Sequence, residues 1–266
     1  MKNRISIQRD EEIKIPEVKI HGIWKKIALT IRKIPHLFWI GCIVLFLIVI
    51  IVLMPRDILK AFWISLKTQK IIFALLIFFV ITAISLLISV GQRIDVWVFM
   101  YFNMHGKRTF WFDRFMLALT QLGNFIFALI LAFIVFTCGD HVLAYEIILG
   151  ISSLGLVVQI MKVLIHRTRP YIKLENIRIV GSRASGRSFP SGHTGQVFLI
   201  ATLLLQYYHL NILIGIVLYT IALFVGITRI YVGMHYPRDV IGGAILGTAW
   251  GLLGVIINSC LPYSNL

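Results

Sequence analysis

Residues 142–170 read VLAYEIILGISSLGLVVQIMKVLIHRTRP. The run 142–162 is apolar for the length of a helix that crosses a bilayer, which needs about 20 residues for a hydrocarbon core of roughly 30 Å. It closes on Lys162, and Arg169-Pro170 follows. This one stretch sets the class. Permanent cations at the end of an apolar span are expensive to hold there, so they are functional candidates from the start.

Comparable apolar runs lie at about 37–54, 71–90, 116–137, 193–208, 211–228 and 240–258, making seven candidate spans in all. The chain is 59% hydrophobic, against about 45–50% for a soluble domain, and its mean hydropathy is +0.89. The expected fold is all-α, a polytopic transmembrane helical bundle. The three cysteines, Cys42, Cys138 and Cys260, are far apart and offer neither a disulfide framework nor metal-ligand spacing.

The regions outside the spans divide the chain further. Residues 1–34 form a basic tail that is too long and mixed to be a signal-peptide n-region. Residues 35–70 hold the first span and a connector. In that connector Arg56, Lys60, Lys67 and Lys70 flank Phe62 and Trp63, the pattern of an amphipathic interfacial helix. The aromatics of 91–114 suit the headgroup level. Residues 71–266 are then the main membrane domain, and the motifs below mark it as the catalytic one. The net charge of +15 points to anionic lipid and an anionic substrate. It does not point to nucleic acid, because the cations are dispersed among apolar runs.

Three clusters carry the chemistry: Lys162 with Arg169-Pro170, then Pro190-Ser191-Gly192-His193, then Thr228-Arg229 followed by His235 and Asp239. Each lies at a helix end, and the order of spans puts all of them on one side of the membrane. Lys162 and Arg169 are seven residues apart and share a face if the helix persists between them. Pro190 and Ser191 read as a helix start, whose free N–H groups attract anions, and Gly192 admits close backbone approach. A plain N-cap explains Pro190 and Ser191 but leaves His193 unexplained. His235 and Asp239, four apart, face each other on a helix. A carboxylate on one ring nitrogen would fix the tautomer and leave the other nitrogen as a nucleophile. A metal site would need more donors than this pair, and Arg229 nearby would repel a cation. The inventory suits binding, attacking and protonating a phosphate ester.

These motifs resemble the type 2 phosphatidic acid phosphatase (PAP2) superfamily: Lys, six residues, Arg-Pro; Pro-Ser-Gly-His; Ser/Thr-Arg, five residues, His, three residues, Asp. Spacing matches within all three, with Thr228 where serine is commoner. The resemblance covers about 71–258 and implies a six-helix core, with 37–54 an extra N-terminal span. It also implies roles. His235 attacks phosphorus, Asp239 orients it and His193 protonates the leaving group. Lys162, Arg169, Ser191, the Gly192 amide and Arg229 hold the phosphoryl oxygens. No metal or other cofactor is implied. The substrate would be a lipid phosphate or diphosphate of the phosphatidylglycerol phosphate, phosphatidic acid or undecaprenyl pyrophosphate class. The resemblance places the protein in the cell membrane, multi-pass, with the active site extracytoplasmic. Charge bias over seven spans argues the opposite orientation, and the conflict dissolves if 37–54 does not cross. Two rival readings use the same residues: a phosphotransferase working through the same intermediate, and a non-catalytic lipid-phosphate binder or transporter. The second has no need of a positioned nucleophile.

Overall fold

The computed structural model describes Leu45 and residues 56–104, 109–183 and 186–259. By contact the chain separates into two compact units, Met1–Val49 and Ile50–Leu266. Apart from Leu45, the described residues belong to the second. The expected tail and the span 37–54 lie outside the described residues, Leu45 again excepted.

The described helices, in order, are α1 (Arg56–Thr68), α2 (Lys70–Ser85), α3 (Ser89–Met104), α4 (Phe110–Thr120), α5 (Phe125–Thr137), α6 (His141–Leu164), the single turn α7 (Pro170–Lys173), α8 (Gly192–Tyr207), α9 (Ile212–Tyr231) and α10 (Pro237–Ser259). There is no strand among the described residues, as expected for an all-α membrane bundle. Helices α6, α9 and α10 are each long and apolar enough to cross a membrane. Two further pairs qualify only when taken together, α2 with α3 and α4 with α5, which bend by 93° and 60°. The expected run 116–137 therefore crosses a bend at Asn124, and 71–90 ends just past another, so neither is a straight span. The run 193–208 also differs from expectation: α8 has 16 residues, short for a span, and is the buried helix at the centre.

Two packing devices position the site. The first is the seam between α8 and α10. Along α10, Gly243, Gly247 and Gly251 recur every fourth residue and so share one face. A Cβ on Gly247 would stand 2.1 Å from the Gly195 carbonyl oxygen, and one on Gly243 would stand 2.4 Å from that of Ser191. Backbone meets backbone there, which only glycine permits. The second is the apolar ridge of α6. Leu143, Ile147, Ile151, Leu154 and Val158 are buried against Leu199, Leu203 and Leu246. The opposite faces of α2 and α5 leave Phe73, Ile77, Ile81, Ile130 and Phe133 exposed, as lipid-facing surfaces require.

The second elbow and the turn into α6 arise from local signals. Asn124 ends the 3₁₀ turn Gln121–Gly123 and caps α5, its side chain accepting from the Ile126 N–H. Asp140 caps α6 by accepting from the Leu143 N–H, and the hydroxyls of Tyr207 and Tyr208 donate to the same carboxylate.

Candidate active site

All three sequence clusters converge. Lys162 stands in the last turn of α6, Arg229 in the last turn of α9, His193 in the first turn of α8 and Asp239 in the first turn of α10. The seams of the bundle bring these four ends together. Lys162 lies within electrostatic range of Arg169, Arg229 and Asp239, and His193 within range of Arg229, His235, Lys162 and Arg169.

Two expected local geometries are corrected. The α6 helix does not persist from Lys162 to Arg169. It stops at Leu164, Ile165 turns extended, and Arg169 is itself the extended residue before α7, which Pro170 opens. Arg169 reaches the site from a loop. Its Nε donates to the Gly186 carbonyl at 3.1 Å and one terminal nitrogen to the Met234 carbonyl at 3.1 Å. Likewise His235 and Asp239 do not share a helix, because α10 begins at Pro237. They still approach, Nδ1 to Oδ2, but at 3.7 Å, an electrostatic contact too long for a hydrogen bond.

His235 is buried, and its Nε2 stands 3.3 Å from an Arg169 guanidinium nitrogen. Burial holds its imidazole at about 3, far below the ordinary histidine range. Asp239 pulls the other way, while Arg169 and Arg229 add to the depression. The ring is therefore neutral at physiological pH. With a proton on Nδ1 toward Asp239, the Nε2 lone pair faces the cations. Burial also lowers the Arg169 guanidinium from its ordinary value.

Sequence reasoning did not anticipate what holds Asp239. Its carboxylate is fully buried and accepts from Arg167 at 2.6 Å, from the Ser188 hydroxyl and from the Tyr236 backbone N–H at 2.8 Å. Arg167 stacks its guanidinium 4.4 Å over the Tyr236 ring and pairs with Asp95 of α3, which is also buried. Asp95 takes a second arginine, Arg238, whose Nε lies at 2.7 Å. Arg238 in turn binds the Ser85 carbonyl at the end of α2, so one guanidinium spans the α2–α3 elbow. The signal was present: a carboxylate such as Asp95 inside an apolar stretch demands a partner.

Ser191 caps α8 by position, yet it is fully buried. Its hydroxyl accepts from Thr194 at 2.9 Å, and its N–H donates to the Asp239 carbonyl at 2.9 Å. Gly192 opens α8 with only Val158 near its missing Cβ. The buried Arg229 donates to Thr120 at 2.8 Å, while its Nε has no hydrogen-bond partner among the described residues. Beside Arg229 and His193 lies a cavity of about 250 Å³. Among the described residues, no three of His, Cys, Asp and Glu come together as metal donors.

The loop cations are not equivalent. Arg178 pairs with Asp113, donates to the Tyr231 hydroxyl at 3.0 Å, and has both its backbone groups held by Asn103. It anchors the loop to α3, α4 and α9. Lys173, Arg183 and Arg187 are exposed.

The family model for the PAP2 superfamily matches residues 142–260. The undecaprenyl-diphosphatase BcrC of Bacillus subtilis is 30% identical over 143 residues, 53% of this chain and 72% of that one. A lipid A 1-phosphatase of Rhizobium etli is 33% identical over 110 residues, 39% of this chain and 45% of that one. The crystal structure of a transmembrane PAP2-type phosphatidylglycerolphosphate phosphatase from Bacillus subtilis superposes with a TM-score of 0.62 at 24% identity, covering 72% of this chain and 98% of that one.

Proposed function

Since the chain belongs to the PAP2 superfamily, we propose that it is an integral-membrane phosphatase that hydrolyses a lipid phosphate or diphosphate through a phosphohistidine on His235. The observation that carries this reading is the His235 ring. It is buried and neutral, with Asp239 on its Nδ1 side and Arg169 3.3 Å from Nε2. That is the placement of a nucleophile facing the groups that hold its target.

The reaction follows from the positions. Lys162, Arg169 and Arg229 gather around the phosphoryl oxygens, with the amides at the start of α8 as further donors. Arg229 has an unpartnered Nε to offer. The Nε2 lone pair of His235 forms the N–P bond as the P–O bond to the leaving group breaks. His193 delivers a proton to the departing oxygen. Water then enters on the same side and gives a proton to His193, and its oxygen attacks phosphorus. The N–P bond breaks to release phosphate and restore neutral His235. Asp239 stabilises the ring while it carries positive charge, and Arg167 and Ser188 keep Asp239 in place. We place this reaction on the extracytoplasmic face, the orientation that the resemblance implies.

The test is phosphate release from purified full-length protein in detergent with EDTA present, using phosphatidic acid, phosphatidylglycerol phosphate and undecaprenyl pyrophosphate. Release from at least one is expected, with vanadate as an inhibitor because its five-coordinate adduct imitates the transition state. Activity that vanishes with EDTA and returns with Mg²⁺ or Zn²⁺ would refute the mechanism.

A further inference from the structure

The cavity beside His193 is built in part from residues ahead of the stretch that the family model matches. Its wall on that side is the α4–α5 elbow, with Thr120, Gln121 and Asn124 facing Ser182, His193 and Arg229. The elbow is fastened to the catalytic helices at three points. Thr120 accepts from Arg229 at 2.8 Å. Gln196, in the first turns of α8, donates to the Asn124 carbonyl at 2.7 Å. Gly123 lies so close that a Cβ there would stand 2.8 Å from the His193 Cβ and carbonyl oxygen. The elbow is thus part of the wall around the proton donor, where the leaving oxygen must depart.

The chemistry of that wall is specific. Among the described residues that line the cavity, Arg229 is the one permanent cation. The rest of its polar lining is the His193 imidazole, the amides of Gln121 and Asn124 and the hydroxyls of Thr120 and Ser182. The Gln121 side-chain carbonyl accepts from the Asn124 amide at 3.2 Å, leaving the Gln121 NH₂ for a ligand. Gln121 is exposed, so its side chain is not needed for packing. A phosphate as leaving group would bring its own negative charge to this spot and call for further cations. Of the loop cations, Arg178 is committed to Asp113 and Tyr231, and Arg183, the neighbour of Ser182, is exposed and is not among the residues that line the cavity. Neutral amides and hydroxyls instead suit an alcohol that carries a free hydroxyl, since each donates and accepts.

Resting on the phosphatase reading, we infer that this cavity is the leaving-group subsite, that Gln121 and Asn124 determine specificity in it, and that it takes a phosphate ester of a polyol in preference to a diphosphate. The experiment compares wild type with Gln121→Leu and Asn124→Ser, the serine retaining a capping oxygen for α5. Substrates are phosphatidylglycerol phosphate, phosphatidic acid and undecaprenyl pyrophosphate. Wild type should favour the first. Each variant should lose about tenfold in kcat/KM on it, as one lost hydrogen bond implies, with under about twofold change on phosphatidic acid. Equal losses on both, no loss, or a wild-type preference for the diphosphate would overturn the subsite. Release of phosphate from none of the three would instead remove the phosphatase reading. Binding then decides the subsite by itself. Glycerol 3-phosphate should raise the Tm of wild type more than propyl phosphate does, and Gln121→Leu should erase the difference. Equal shifts in wild type would overturn the inference.

Discussion

Arg167→Gln isolates the layer behind the nucleophile. Arg167 does not point at the phosphate position. Its two guanidinium ends are taken by Asp239 and Asp95, and its face lies on Tyr236. The contact to Asp239 spans 2.6 Å, between side chains 13% and 0% exposed, so solvent screens it little. A charge-assisted hydrogen bond of this kind contributes about 1.5–3 kcal/mol. Asp239 keeps Ser188 and the Tyr236 N–H in the variant, so it is not stranded. If the loss falls on the orientation of His235 in the transition state, kcat drops roughly 10- to 150-fold, at about 1.4 kcal/mol per decade. KM should hardly change, because ground-state phosphate contacts are intact. Arg169→Gln should instead raise KM as well. Steady-state kinetics in detergent, with thermal unfolding as the control for folding, reads the split. A double-mutant cycle with Asp95→Asn should give clearly less than additive loss, because one bridge serves both. A raised KM at constant kcat, or strict additivity, would show that Arg167 binds substrate or acts independently, and would refute the reasoning.

The remaining expectations concern the nucleophile, the seam, pH and topology. His235→Ala should abolish turnover, whereas His193→Ala should retain activity on esters with good leaving groups, which need less protonation; labelled phosphate trapped on another residue would end the assignment. Gly247→Leu should force α8 from α10, since even a Cβ would sit 2.1 Å from the Gly195 oxygen; a loss of about 1–3 kcal/mol or more is expected, read as lowered Tm, and unchanged Tm would deny the close seam. With His235 held at about 3, the neutral nucleophile is present below its ordinary range; in His193→Ala, on an ester with a good leaving group and corrected for substrate ionisation, the phosphorylation step should stay nearly flat from pH 7 to 5.5, where an unperturbed imidazole would lose about tenfold. Arg183→Cys, in a background without the native cysteines, should react with an impermeant thiol reagent from outside intact cells and Lys67→Cys should not; the reverse would place the site in the cytoplasm.

Much of the site was legible because its chemistry is carried by residues that an apolar phase makes conspicuous. Lys162, Arg169, His193, Arg229, His235 and Asp239 each had to be explained, and their placement at helix ends made convergence predictable. What sequence periodicity misjudged was continuity. A seven-residue spacing reads as two helical turns, but the segment from Ile165 to Arg169 leaves the helix so that Arg169 can reach Met234 and His235. A four-residue spacing reads as one turn, but Pro237 starts α10 between His235 and Asp239. Hydropathy sums over a bend without registering it, so 116–137 reads as one straight run across Asn124, and 71–90 runs past the end of α2 at Ser85. Arg167 was overlooked for a related reason: it sits between two motif cations, and composition alone does not show which guanidinium faces substrate and which faces a carboxylate.

The two elbows give the family motifs a common mechanical setting. From one side, Arg238 clasps Ser85 and Asp95 across the bend of α2 and α3, and Asp95 reaches Asp239 through Arg167. From the other, the bend of α4 and α5 presses Gly123 against His193 and sets Thr120 against Arg229. The Asp239 carboxylate beside His235 is thus tied to the first elbow, and His193 to the second. Because a bent helix pair carries its own backbone hydrogen bonds up to the break, it brings a polar corner to a buried site without leaving long stretches of unpaired backbone. Motif residues on α6, α8, α9 and α10 supply charge and chemistry, and the elbows set their aim. Substitutions at the elbows should therefore change how well the motifs act without removing any of them. The first elbow should report in kcat through His235, and the second in the choice of leaving group.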